Sequence, residues 1–406
     1  MLVKIMRYKE IVKDILINLL SVMLVMTVIQ LLVFPYLSRK LPDELFGQII
    51  ALYGMNNMII LFLGNTLGNV RMLKQHEDVD FSLLSQLTMI ASLVIMALLS
   101  FYYGSAFSLG TNCLFVLFTG LANLRAYTTV DYRISLTYNK VLRLNFCLVC
   151  GYLIGGIIFY FTSSWVWIFL AGEIGGLLYQ WGSKNNLLIE CFTTFSKKVD
   201  TKMWREFFSL STSNGFANVA NYLDRFVITP LLGATSMGVY YAASSLSKIL
   251  TMMITPMSSV LLSYTTNQTI GFARKKILTL YAIMLGIVIP SYFILITLSN
   301  YLVTILYPNY AHEAKPLLPI VTIGILLNVI YSVLHPFILK KYSIHYQMVI
   351  QVIYLIFYGV LSIVLSHRNG LIGFAWAFSL ASVIKLFMQL VIVVFKKEPS
   401  RKTLLS

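Results

Sequence analysis

The stretch that decides the fold is ILINLLSVMLVMTVIQLLVFPYL, Ile15 to Leu37. It holds no charged residue and exceeds the roughly 20 apolar residues needed to cross a bilayer. Four basic residues precede it (Lys4, Arg7, Lys9 and Lys13), so it could pass for a secretory leader. It is too long for a leader's apolar core and no small-residue cleavage site follows, so we read it as a first spanning helix. Outward from it the pattern repeats. Apolar blocks cover residues 15–37, 47–70, 83–103, 112–132, 143–162, 165–183, 206–232, 238–262, 277–298, 316–339, 347–366 and 371–395.

Composition agrees. Of 406 residues, 58% are hydrophobic and 11% charged, where soluble domains carry about 25% charged residues. Mean hydropathy is +0.80. So little polar surface cannot coat a water-soluble globule. The net charge of +16 would suggest nucleic acid in a soluble protein. Here the basic residues lie between apolar blocks, which points to membrane orientation and anionic lipid, with no nucleic-acid partner. With the N-terminus cytoplasmic, 23 of the 31 basic residues fall on the inner side, four on the outer side and four within spans. That bias supports an even number of spans with both termini inside.

The longest polar interval, 184–205, lies near the midpoint. It predicts an N-terminal six-helix lobe at 1–183, a cytoplasmic linker at 184–205 and a C-terminal six-helix lobe at 206–406. Leu41-Pro-Asp-Glu-Leu-Phe-Gly47 precedes the second block, and Leu232-Gly-Ala-Thr-Ser-Met-Gly238 precedes the eighth with the same Leu-to-Gly spacing. Two such halves of six are the parallel repeats of a two-lobed transporter.

Residues that lipid would not tolerate mark the candidate site. Ser211, Asn214, Asn218, Asn221 and Arg225 recur at helical spacing on one face of span seven. A polar stripe must face a cavity or another helix, and its charged end favours the cavity. Charges at a helix centre cost about 2.5–3.5 kcal/mol each on insertion scales. Asp224 and Arg225 are sequence neighbours pointing about 100° apart, so each is expected to find a partner elsewhere. Lys248 lies in mid-span. Lys385 shares a face with Ser379, Ser382 and Gln389. Arg125 lies close enough to the inner end of its span to snorkel, and Glu173 is the other deep acid. The balance is cationic: Arg125, Arg225, Lys248 and Lys385 against Asp224 and Glu173. Such a site favours an anion, and Arg in particular suits phosphate.

Enzyme signals are thin. There is no phosphate-binding GxxxxGK[ST] loop, no HExxH and no cluster of metal ligands. Asp78-Val-Asp80 and His312-Glu313 read as solvated loop residues. Cys147 and Cys150, spaced as in a redox motif, sit inside an apolar span and read as packing; Cys113 also lies in an apolar block, Cys191 does not, and no disulfide framework is expected. We expect no enzyme, no metal and no cofactor.

Asn221-Tyr-Leu-Asp-Arg-Phe-Val-Ile-Thr-Pro-Leu-Leu-Gly-Ala-Thr-Ser-Met-Gly-Val-Tyr-Tyr-Ala-Ala243 resembles the Asp-Arg…Leu-Gly…Gly-x-Tyr-x-x-Ala signature of the Wzx-type bacterial polysaccharide flippases. These belong to the multidrug/oligosaccharidyl-lipid/polysaccharide exporter superfamily. Leu41–Gly47 matches that family's recurrent loop before helix two. The resemblance implies an all-α, MATE-like membrane protein of about twelve transmembrane helices, in two lobes around a central cavity. It implies transfer of an undecaprenyl-diphosphate-linked oligosaccharide from the inner to the outer leaflet of the bacterial cytoplasmic membrane by alternating access, for O-antigen or capsule synthesis. The diphosphate would meet Arg225, Lys248, Lys385 and Arg125. Asp224 or Glu173 would be the candidates for H+ or Na+ coupling. Glycosyltransferases and a polysaccharide polymerase would share the pathway, and the expected state is a monomer. The alternatives are a lipid II or multidrug transporter of the same superfamily, and a membrane glycosyltransferase or glycan polymerase.

Overall fold

The computed structural model describes residues 2–75, 77, 80–193, 201–245, 274–341 and 344–395, and among them every regular element is a helix. Among the described residues, eight helical stretches are long and apolar enough to cross a membrane. One of these, Tyr346–Phe395, contains two of the blocks expected from the sequence. The exposed surface carries many large apolar side chains, among them Leu98, Phe101, Phe161, Ile289 and Phe293. A bilayer solvates such a surface; water does not.

The helices pack into two compact units, Met1–Tyr222 and Leu223–Ser406. In the first unit, α1 (Leu2–Val28) passes through a π turn at Ile29–Val33 into α2 (Phe34–Lys40). Pro35 explains the turn: its ring crowds the carbonyl four residues back, Leu31, and the widened turn makes room. The chain leaves α2 through extended Leu41 and Pro42 and starts α3 (Asp43–Phe62) with Asp43 and Glu44 in its first turn, where the helix dipole favours acids. After α4 (Gly64–Leu73) come α5 (Ser82–Tyr103), α6 (Leu109–Thr128), the short α7 (Val130–Ile134), α8 (Tyr138–Thr162), α9 (Val166–Gly182), α10 (Asn186–Thr193) and α11 (Thr201–Asn221).

Helices α8 and α9 approach unusually closely. A Cβ on Gly151 would sit 2.4 Å from the Ala171 carbonyl oxygen, and one on Gly155 would sit 2.3 Å from that of Trp167. This is the small-xxx-small packing of membrane helices, in which only glycine lets the backbones meet. On α5, Ser85, Thr88, Ser92 and Ser100 donate to carbonyls three residues back, so their hydroxyls need no other partner in an apolar span.

In the second unit, α12 (Leu223–Leu232) ends at Gly233, whose φ of +87° makes it a left-handed helix stop. There follow α13 (234–245), α14 (Arg274–Leu306), the one-turn α15 (Ala311–Ala314), α16 (Leu318–Lys341) and α17 (Ile344–Phe395). α17 is not one rod: Asn369 and Gly370 leave helical geometry, Gly370 at φ +57°. A Cβ on Gly373 would lie 1.9 Å from the Leu365 carbonyl oxygen. In a straight helix, residues eight apart are about 12 Å apart. The chain therefore folds back here, and α17 is a hairpin of two spans joined at the Arg368-Asn369-Gly370 turn. The core between α14, α16 and the hairpin contains Ile277, Tyr281, Ile330, Tyr331, Leu334, Ile350 and Leu386.

Candidate functional site

The second arm of α17 presents Ser379, Ser382, Lys385 and Gln389 at helical spacing, and all four meet α16. Ser379 Oγ donates to the Ile320 carbonyl at 2.6 Å. Asn328 Nδ2 donates to Ser382 Oγ at 2.6 Å, and Gln389 Nε2 to the Tyr331 carbonyl at 3.3 Å. This is the polar face the sequence spacing predicts. It joins two spanning helices by side-chain hydrogen bonds.

Lys385 lies in the middle of that face and is only 8% exposed. Its Nζ sits 4.3 Å from the ring centre of Tyr331 and 4.3 Å from that of Tyr354, and 3.5 Å from Asn328 Oδ1. Tyr354 is on the first arm of the hairpin; in a straight helix it would be roughly 46 Å from Lys385. Each ring offers the ammonium the negative face of its quadrupole, worth about 0.5–2 kcal/mol depending on desolvation. No carboxylate pairs with Lys385 among the described residues.

The deep arginines differ. Arg125 on α6 grips Glu173 on α9 with two prongs: Nε donates to Oε2, and Nη2 donates to Oε1 at 3.1 Å. Glu173 is 2% exposed. The guanidinium therefore turns to a carboxylate inside its own unit, and the snorkelling expected from its sequence position is not what holds it. In the second unit, Asp224 and Arg225 are both buried and pair with each other. The sequence argument, from their divergent Cβ directions, did not expect this mutual pair. The long arginine side chain folds back across the difference, which the angle between Cβ vectors does not capture.

The polar stripe is interrupted. Helix α11 stops at Asn221 and α12 starts at Leu223, with Tyr222 between them, so Asp224 and Arg225 lie on a second helix and not on a continued stripe. Ser211, buried on α11, donates to the Phe62 carbonyl at 3.3 Å, where α3 ends. That is hydrogen-bond glue between helices. Asn221, at the other end, is exposed. The side chains of Asn214 and Asn218, and the whole of Lys248, lie outside the described residues.

Two clusters were not found from the sequence. Arg71 at the end of α4 donates to both oxygens of Glu190 on α10, at 2.9 and 2.7 Å, and to the Tyr127 hydroxyl at 3.0 Å. Lys74 pairs with Glu77 at 2.9 Å and with Glu206 on α11 at 3.1 Å. These pairs tie α10 and α11 to α4. Arg71 and Glu190, and Lys74 and Glu206, are far apart in sequence, and only the fold brings them together. Asn328, Tyr331 and Tyr354 were missed for another reason: aromatic residues make up 14% of the chain, so no single tyrosine stands out.

No protein-family model matches the sequence, and no curated protein matches it in sequence. Solved structures do. A structure of the lipid II flippase MurJ in an inward closed conformation matches 96% of this chain over 87% of its own length, with a TM-score of 0.67 at 15% identity. The fold is the one shared by MurJ and the MATE transporters. An outward-facing multidrug resistance MATE family transporter of the MOP superfamily matches 94% of each chain, with a TM-score of 0.59 at 13% identity. A MOP superfamily transporter from Pyrococcus furiosus, described as having a binding pocket of reversed polarity, matches 95% of this chain and 97% of its own, with a TM-score of 0.56 at 11% identity. The chain is thus an all-α integral membrane protein on the MurJ/MATE fold, and the twelve-span reading of its sequence accords with that architecture. At these identities the likeness is one of fold, and the chemistry must come from this chain's own residues.

Proposed function

We propose that this protein is a flippase that carries undecaprenyl-diphosphate-linked oligosaccharide repeat units from the inner to the outer leaflet of the bacterial cytoplasmic membrane by alternating access, for O-antigen or capsule synthesis. The observation that carries the reading is the buried ammonium of Lys385, held by neutral groups with no carboxylate partner among the described residues. A diphosphate supplies the counter-charge that this ammonium lacks, through short charge-assisted hydrogen bonds. Arg125 and Arg225 already face Glu173 and Asp224, so Lys385 has the most to gain from an anion, and Lys248 is its expected companion. The polar residues Asn214, Asn218 and Asn221 would line the glycan's path, with Ser211 at their helix-bonded end. Asp224 and Glu173, if either binds a coupling H+ or Na+, must first give up an arginine. An anion leaving a negative interior moves with the field, worth about 2.3 kcal/mol per charge per 100 mV. Both termini lie in the cytoplasm on the charge bias of the loops. Glycosyltransferases supply the substrate and a polymerase consumes it, while the flippase works as a monomer and is not itself an enzyme.

A second reading, lipid II as the cargo, is favoured by the likeness to MurJ. It shares the lipid-diphosphate-sugar chemistry and differs in the glycan. Export of cationic drugs fits a buried lysine with no carboxylate partner among the described residues poorly. Deletion of the gene, followed by lipid analysis, decides among these. The expected result is accumulation of lipid-linked repeat units facing the cytoplasm, with peptidoglycan synthesis intact. Normal outer-surface polymerisation in the deletion strain overturns the first reading, and arrested peptidoglycan synthesis selects the second. Within the site, Lys248→Ala and the double variant Arg225→Ala/Asp224→Ala, which leaves no buried carboxylate stranded, are each expected to abolish export while the protein still inserts. Normal export by both variants would reduce those cations to structural roles.

A further inference from the structure

The walls around Lys385 are held without it. The Tyr331 hydroxyl donates to Gln347 Oε1 at 3.0 Å, and its carbonyl accepts from Gln389. Gln389 is itself held by the Tyr281 hydroxyl at 2.8 Å. Asn328 Nδ2 is fixed by Ser382 Oγ and by the Gly324 carbonyl at 3.0 Å. Tyr354 stacks on Tyr358, and Tyr358 packs on Phe374 and Phe378 across the hairpin. Among the described residues, Lys385 makes only the two ring contacts and a 3.5 Å contact to Asn328 Oδ1, on a flexible four-carbon stem.

The groups that would be left behind also differ. Withdrawing Arg125 from Glu173 strands a buried carboxylate, and withdrawing Arg225 from Asp224 breaks a buried ion pair. Withdrawing Lys385 leaves two neutral rings and an amide oxygen. The lysine can therefore change partners where the arginines cannot do so cheaply.

We propose that Tyr331 and Tyr354 form a resting box for the Lys385 ammonium and compete for it with the diphosphate of the substrate, so that these two tyrosines set the affinity for lipid-linked diphosphates. The inference rests on the reading of the protein as a lipid-diphosphate carrier. In the unloaded state the rings shield an ammonium that would otherwise lie bare in low dielectric. In the loaded state the ammonium trades cation–π contacts for N–H···O bonds to phosphate oxygens, which are stronger. Tyr331 and Tyr354 are positioning residues, acting through Lys385. Weakening their rings raises the free energy of the unloaded state alone, so binding tightens.

The test uses the full chain in lipid nanodiscs and titrates farnesyl diphosphate by calorimetry, with farnesol as the control. The wild type is expected to bind the diphosphate and not the alcohol, and Lys385→Met to lose about tenfold or more in affinity. Tyr331→Leu and Tyr354→Leu are each expected to tighten binding about threefold. Phenylalanine, which restores a ring face, returns affinity towards wild type. Fluorinated phenylalanine at either position keeps the shape, lowers the electron density of the ring face and tightens binding again; it serves if the leucine variants do not fold. Leucine and fluorinated variants that bind more weakly than phenylalanine, or equally, overturn the box while leaving the carrier reading intact. Unchanged binding by Lys385→Met also overturns it. A wild type that does not bind the prenyl diphosphate overturns both the box and the reading beneath it.

Discussion

Each compact unit buries an arginine–carboxylate pair, Arg125–Glu173 in the first and Arg225–Asp224 in the second, and the second also buries Lys385, which is compensated in a different way. In the first unit, Arg125 is fixed by a two-pronged carboxylate, Glu173. In the second, Lys385 is held by two tyrosine faces and an amide. A buried ion pair is a closed account: each member is costly to expose alone, and the pair stays put. An ammonium in an aromatic box has no carboxylate to give up before it meets an incoming anion. On the function proposed above, the contrast suits Arg125 and Glu173 to architecture and Lys385 to cargo binding.

The comparison breaks most visibly at Glu173. Glu173→Leu strands the Arg125 guanidinium and should cost about 3–5 kcal/mol, seen as lost expression or a strongly lowered Tm in detergent. The double variant Arg125→Leu/Glu173→Leu removes both charges and should recover most of that stability, since buried pairs replaced by apolar residues are often neutral. If the double variant is no more stable than the single one, the pair is more than mutual neutralisation. Lys385→Met should behave differently: stability within about 1 kcal/mol of wild type, because no counter-charge is stranded, yet transport lost. A collapse of folding in Lys385→Met would make the lysine structural.

The smallest effect is expected at the third kind of ion pair. Glu77 and then Glu206 hold the Lys74 ammonium above its ordinary pKa. A raised pKa in the folded state means stabilisation that is fully present below the ordinary lysine value of about 10.4 and is lost as pH rises through and above it. Lys74→Gln should lower Tm slightly at pH 7, less so in high salt, and should leave Tm unchanged well above pH 11. A variant effect that persists at high salt and high pH would show that Lys74 acts through packing.

Most of the fold was legible because membrane helices must be long and apolar, and loops must carry the charge. The turn at Arg368-Asn369-Gly370 was legible for the same reason. The break at Tyr222 was not: the polar spacing runs through it, and periodicity alone cannot see a residue that leaves the helix. At the site, the Ser379–Ser382–Lys385–Gln389 face follows from spacing within one helix. The pairing of Arg125 with Glu173 does not, because those residues are far apart in sequence. Nor does the choice of Tyr331 and Tyr354 among 25 tyrosines, which only the hairpin and α16 bring to one lysine.

The central claim is that Lys385 engages the cargo while the Arg125–Glu173 pair holds the frame. Purified variants in liposomes carrying a fluorescent undecaprenyl-diphosphate oligosaccharide test it, with the rate of transfer between leaflets as the readout. The account predicts that Lys385→Met abolishes transfer and that Arg125→Leu/Glu173→Leu retains it. Transfer that survives in Lys385→Met and is lost in a well-folded Arg125→Leu/Glu173→Leu would contradict it.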